Sequence, residues 1–201
     1  MPTAEFSCSS ASSLDVTWAA DFFTEEVWTL GGWVTFYVLF FIHLGTRRVL
    51  VAGCTPHRNG DWTAQQARNF SMFLGESGLP CRDLIHDRDS VFMPFDPITR
   101  ADGIEVIRTP PMAPQCNAFA ERHVREIRET LDSLILLGES HLRHVLKSIE
   151  AFHNHRRPHQ GIANVISISF DYPDRAAEVK QVELESGLGG LLNHYRVREA
   201  A

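Results

Sequence analysis

A chain of 201 residues that is 44% hydrophobic and 22% charged is long enough for one well-buried domain with a tail, and too balanced to be a disordered or fibrous protein. Its four cysteines, Cys8, Cys54, Cys81 and Cys116, include no C-x-x-C pair, which argues against a disulfide framework or a cysteine zinc knuckle and for reduced, intracellular thiols. The net charge of −6 counts against a simple nucleic-acid binder, but a site for divalent cations needs clustered carboxylates, and positive charge that meets DNA can be local.

Residues 1–15 are Ser-rich, with no basic region and no continuous apolar run, so they do not form a secretory signal; they are expected to be a disordered leader on a cytoplasmic protein. Residues 16–25, 33–43 and 47–54 read as three strands separated by the turn signals Gly31-Gly32 and Gly45-Thr46, which predicts an antiparallel meander. The most apolar stretch, residues 33–42, is about half of the roughly 20 residues a membrane span needs and reads as a buried strand. Residues 63–74 place Ala67, Phe70, Phe73 and Leu74 at helical spacing before the stop signals Gly75 and Gly78. Residues 84–86 form a short strand, 91–101 a helical or irregular segment, and 104–107 another strand that ends at Thr109-Pro110-Pro111.

Asn117 is a natural N-cap for a long helix whose apolar stripe is Phe119, Val124, Ile127, Leu131 and Leu134. A further helix over 139–153, apolar at Leu142, Val145, Leu146, Ile149 and Phe152, ends in the basic turn H-N-H-R-R-P-H-Q-G. Beyond Gly161 the pattern weakens, so the expectation is a core of residues 16–161 with a C-terminal tail of residues 162–201. The element order is β-β-β-α-β-α-β-α, an α/β class.

Three acids stand where an acid needs explaining. Asp21 lies within the apolar strand W-A-A-D-F-F, where a charge requires a strong partner. Asp87 follows the strand L-I-H at its C-terminal end, where open α/β sheets bind ligands and metals. Glu121 sits in the first turns of a helix, on the face of Asn117 and Arg125. Together they could hold Mg²⁺, a hard cation that takes a few carboxylates along with phosphate and water. Plainer roles compete: an arginine partner for Asp21, an N-cap for Asp89 in competition with Asp87, and an i,i+4 pair with Arg125 for Glu121. Arg122, Arg125 and Arg128 alternate with Glu126 and Glu129, as on a solvated salt-bridged face, although Arg125 and Arg128 share the face of Glu121 and suit phosphate contacts. His155 and His159 have the spacing of a metal pair, but Pro158 disfavours the helix that would align them, leaving a loop that touches DNA or packs on the core.

The strings W-A-A-D-F-F-T, I-H-D-R-D-S-V-F, G-I-E-V-I-R-T-P-P and A-P-Q-C-N-A-F-A-E-R-H-V-R resemble the core of bacterial insertion-sequence transposases of the retroviral integrase superfamily. In that family the acids sit in W-x-x-D, D-R-x-S and N-x-x-A-E contexts, which match Asp21, Asp87 and Glu121; 33 residues separate the last two, near the family's usual spacing. The resemblance implies a ribonuclease H-like fold with a mixed five-stranded sheet flanked by helices. It further implies a D-D-E site in which Asp21, Asp87 and Glu121 bind Mg²⁺ or Mn²⁺, with two ions expected, and cleave and join DNA. Arg156 and Arg157 belong to R-R-P-H-Q-G, which is similar to the family's ending; with His159, Asn117, Arg125 and Arg128 they are the candidates for DNA contact. G-L-G-G-L-L-N-H-Y is similar to the tail of one transposase branch.

The implied partners are the ends of a DNA element, its target and further copies of the chain, with no membrane, in a bacterial cytoplasm at the nucleoid. Such transposases carry a helix-turn-helix for end recognition, for which the residues before Val16 are too few, so the expectation is a fragment, a truncated copy, or a chain that relies on a separate end-recognition region or subunit. A stand-alone metal nuclease and a catalytically silent remnant that binds DNA or a partner are the alternatives.

Overall fold

A computed structural model describes residues 11–109, 118–159, 165–168 and 181–198. The described residues begin with one helical turn, α1 (Ala11–Leu14), within the stretch 1–15 expected to be a disordered leader. Strands β1 (Thr17–Thr29), β2 (Gly32–His43) and β3 (Val49–Thr55) form the antiparallel meander. The first two extend beyond the expected ends because they pair without a break from Trp18–His43 to Thr29–Gly32, where Gly32 takes the positive φ of 101° that a tight turn requires.

Helix α2 (Gly60–Ser77) starts where the Asn59 side chain accepts from the Trp62 amide and stops at Gly78, which is left-handed. Strand β4 (Asp83–His86), a 3₁₀ turn (Ser90–Phe92), α3 (Phe95–Ala101) and β5 (Glu105–Arg108) follow in the expected order. Both β4 and β5 are parallel to β1, giving a five-stranded mixed sheet ordered β3-β2-β1-β4-β5.

Two apolar layers flank this sheet, and β1 sorts its residues between them by the period of two that a strand imposes. Trp18 and Ala20, with Phe22 against them, face Phe70 of α2 and Phe92 and Phe95 beyond β4. Ala19 and Phe23 face the opposite way, toward helices α4 (Ala118–Leu131) and α5 (Gly138–His155). Asp21 shares the parity of Ala19 and Phe23 and so belongs to the α4 side.

A short ladder of β6 (Pro158–His159) with β7 (Val165–Ile166) follows α5, and β8 (Gln181–Gly187) with β9 (Leu192–Arg198) forms a hairpin. The hairpin comes from the expected tail, yet Leu192 is buried in the layer beneath α4 and α5 and Leu188 packs against it. Its turn is the G-L-G-G segment, with Gly189 and Gly190 at positive φ.

Candidate active site

The register of the parallel strands brings the first two acids together. Ala19 of β1 pairs with Ile85 of β4, so two residues further along each strand Asp21 comes level with Asp87, at the C-terminal edge where β4 has ended. Asp21 also pairs across the sheet with Phe40 of β2, whose ring is fully buried in the α4 layer. Glu121 arrives on the first turn of α4, exposed, while its neighbour Ala120 is buried.

Asp87 and Glu121 are both close enough to act on Asp21. Burial raises the pKa of Asp21 from 3.8 to about 6, and the charges of Asp87 and Glu121 push the same way, against the lowering effect of the Phe22 amide. That amide donates to Asp21 Oδ1 at 2.8 Å, and the Asp89 amide donates to Asp87 Oδ1 at 3.2 Å. Among the described residues, none of the three acids takes an ion-pair partner. A partly buried carboxylate surrounded by two others and lacking a cation of its own is poised to accept one. The donors are all oxygen, which suits Mg²⁺ or Mn²⁺.

The plainer readings resolve residue by residue. Asp89 caps the 3₁₀ turn through the Val91 amide at 3.0 Å and holds Arg58 at 2.6 Å. Among the described residues, neither the arginine partner for Asp21 nor the Glu121–Arg125 pair forms. Asn117 lies outside the described residues. Arg125 and Arg128 are exposed on α4, and Arg128 acts on Glu25, which burial and Asp132 push upward in pKa. Because Glu121 meets Asp21 while Arg128 meets Glu25, α4 and β1 advance side by side in the same direction.

Arg156, Arg157 and His159 are engaged within the protein. Arg156 lies 3.8 Å from Glu185 of the hairpin and Arg157 3.2 Å from Glu126 of α4, while His159 Nε2 donates to the His153 carbonyl at 3.2 Å. The α5 helix ends at His155, ahead of Pro158, so His155 and His159 are not aligned on one helical face.

Two buried polar groups beside the site escaped the sequence reading. His86, fully buried, donates from Nδ1 to the backbone carbonyl of Asp87 at 2.5 Å, and its Nε2 lies 2.9 Å from Asp96 Oδ1. Asp96 is itself gripped by Arg108 at 2.5 Å. The backbone that carries Asp87 is thus anchored to α3 and β5. An Asp within the first turn of a short helix and an Arg at a strand end were the available signals, but nothing in their spacing links them.

Residues 102–165 match the sequence pattern of the integrase core domain family. No curated protein matches the chain. Among solved structures, the catalytic core domain of HTLV-2 integrase in complex with magnesium is similar in its trimeric form with a TM-score of 0.56 at 12% identity, covering 76% of this chain and 93% of that one. Its dimeric form gives 0.51 at 13% identity, covering 70% and 86%. The chain therefore has the ribonuclease H-like fold of an integrase catalytic core, with the mixed sheet and flanking helices expected from the sequence.

Proposed function

We propose that this chain is a metal-dependent DNA strand-transfer enzyme of the integrase and transposase class, of the bacterial insertion-sequence branch, working through a D-D-E site within residues 16–161. The carrying observation is the convergence of Asp21, Asp87 and Glu121 from β1, the end of β4 and the start of α4, with Asp21 raised to about 6 in a setting of negative charge. A likeness to an integrase core solved with magnesium supports the choice of ion.

Asp21, Asp87 and Glu121 would hold Mg²⁺ or Mn²⁺, with two ions expected, which would supply Lewis acidity to the attacking and leaving oxygens of an in-line displacement. The chain's own residues set the geometry. The Phe22 and Asp89 amides fix one oxygen each of Asp21 and Asp87. The position of Glu121 in the first turn of α4 places its charge against the positive end of the helix dipole. Water or a DNA 3′-hydroxyl attacks the phosphodiester, with no covalent protein intermediate. Arg125 and Arg128, exposed on the helix of Glu121, meet phosphates near the site; Arg156, Arg157 and His159 do so after exchanging their internal partners, and Asn117 completes the set. Two DNA ends joined in one event imply an assembly of several chains, with end recognition supplied by a further region or subunit, in a bacterial cytoplasm at the nucleoid. No described helix is long and apolar enough to cross a membrane.

The test is Mg²⁺- and Mn²⁺-dependent cleavage and joining of labelled DNA carrying the element's ends, with Asp87→Asn beside the parent chain. Activity reduced at least 100-fold in the variant is expected. Cleavage without joining would support a stand-alone nuclease, and equal activity in both proteins would refute the role of Asp87.

A further inference from the structure

Behind the acid site, on the core side of α4, lies a second group of metal-ligating side chains. Potential donor atoms of His123, Glu126 and His153 all lie within 4.8 Å of one another. His123 is 3% exposed, yet among the described residues neither of its ring nitrogens has a hydrogen-bond partner. Leaving a buried polar group unsatisfied costs about 1–3 kcal/mol, so an imidazole placed there without a partner calls for an explanation. A plain core histidine would need one too.

The surroundings suit a cation better than an apolar packing role. His153 donates from Nε2 to the Arg47 carbonyl at 2.9 Å, which leaves Nδ1 with the free lone pair. That is the carbonyl-oriented tautomer common among metal-bound histidines. The two imidazole rings meet edge-on at 4.5 Å between centroids. Glu126 divides its carboxylate: Oε1 takes Arg157 at 3.2 Å, and Oε2 faces His123 Nδ1 at 4.0 Å. A cleft of about 210 Å³, bounded by Phe152, Ile149 and Leu192 of the hairpin, opens onto the cluster and leaves room for a water ligand.

We propose that His123, His153 and Glu126 form a second metal site that binds one Zn²⁺ ion and fastens α4 to α5. Two imidazoles, one carboxylate and an open fourth position make a tetrahedral zinc set, with zinc–ligand distances of about 2.0–2.2 Å. Tetrahedral donors then stand about 3.3 Å apart. The present separations close to that value by rotation of side chains, and in the DNA-free chain Arg157 keeps its hold on the other oxygen of Glu126. The site does not depend on the acid-triad reading: His123 follows Glu121 by two residues, about 200° around the helix, and points inward where Glu121 points out. Phe40 lies between the two sites, paired with Asp21 on β2 and 5.2 Å from the His123 ring.

The experiment uses the full chain carrying Asp21→Asn and Asp87→Asn, so that the triad cannot account for bound metal. The protein is stripped with chelator, given Zn²⁺ and passed through a desalting column; metal content, zinc-dependent thermal stability and the visible spectrum of the Co²⁺ form are then read. About one retained Zn²⁺ per chain, a higher melting temperature with zinc and the intense bands of four-coordinate cobalt are expected. His123→Phe, which fills the buried position with an apolar ring, and Glu126→Gln, at a more exposed position, should each weaken retention at least tenfold. Failure of the triad-disabled chain to retain zinc overturns the proposal, as does undiminished retention in either folded variant.

Discussion

At the residue scale, Asp21 makes the acid site sensitive to pH. Its folded pKa of about 6 lies above the unfolded value of 3.8, so the metal-free fold carries no penalty from this group below about pH 4 and loses stability as pH rises through about 6. The shift corresponds to at most roughly 3 kcal/mol, and less once its partial contact with solvent is allowed for. Urea unfolding in chelator at pH 4 and pH 7 should therefore show Asp21→Asn gaining roughly 1–3 kcal/mol on the parent at the higher pH and little at the lower. Equal gains at both pH values would mean that the carboxylate is not strained by its setting. Divalent metal competes with the proton, so Mg²⁺ should recover this stability in the parent and not in the variant.

At the element scale, the chain's patterning gives the order of elements along the chain and the apolar stripe of α4, whose Ile127 and Leu131 are buried and whose Phe119, Val124 and Leu134 pack partly buried against the same layer. The pattern omits Ala120 and His123, which the helix also buries. A histidine in the centre of a buried face counts against that face in any hydrophobic pattern. The acids were legible because each interrupts a pattern: Asp21 an apolar strand, Asp87 a strand end, Glu121 a motif. Their convergence was not, since it depends on the pairing of β1 with β4 across 60 or more intervening positions.

Helix α5 hides a similar surprise. Asn154, buried at its end, donates to the Val49 carbonyl at 2.7 Å and accepts from the Val49 amide at 2.8 Å, extending the edge of β3 as another strand would. Asn154→Ala leaves both backbone groups unpaired and should cost about 2–4 kcal/mol in denaturant unfolding, whereas a loss under 0.5 kcal/mol would show that water replaces the clamp.

At the scale of the whole molecule, the sheet's C-terminal edge collects acidic charge while its two faces are closed by helices. The chain is acidic overall at −6, so under the proposed function positive charge has to act locally, and Arg125 and Arg128 are exposed on α4 to supply it. The hairpin of β8 and β9 was the least legible part. Its alternation V-E-L-E before G-L-G-G and L-N-H-Y after it fits a hairpin, but mostly polar, exposed strands leave a weak signal. Through Leu192 the hairpin closes one wall of the histidine-lined cleft, and through Glu185 it meets Arg156. Core, cleft and acid site thus meet at α4.

The central claim, that three acids distant in sequence form one divalent-cation site, is tested most directly by soaking crystals of the protein in Mn²⁺ and computing an anomalous difference map. The account predicts one or two peaks within about 2.0–2.3 Å of Asp21 and Asp87 oxygens, with Glu121 completing the shell and the peaks absent from Asp87→Asn crystals. Well-ordered carboxylates with no anomalous density between them would contradict it.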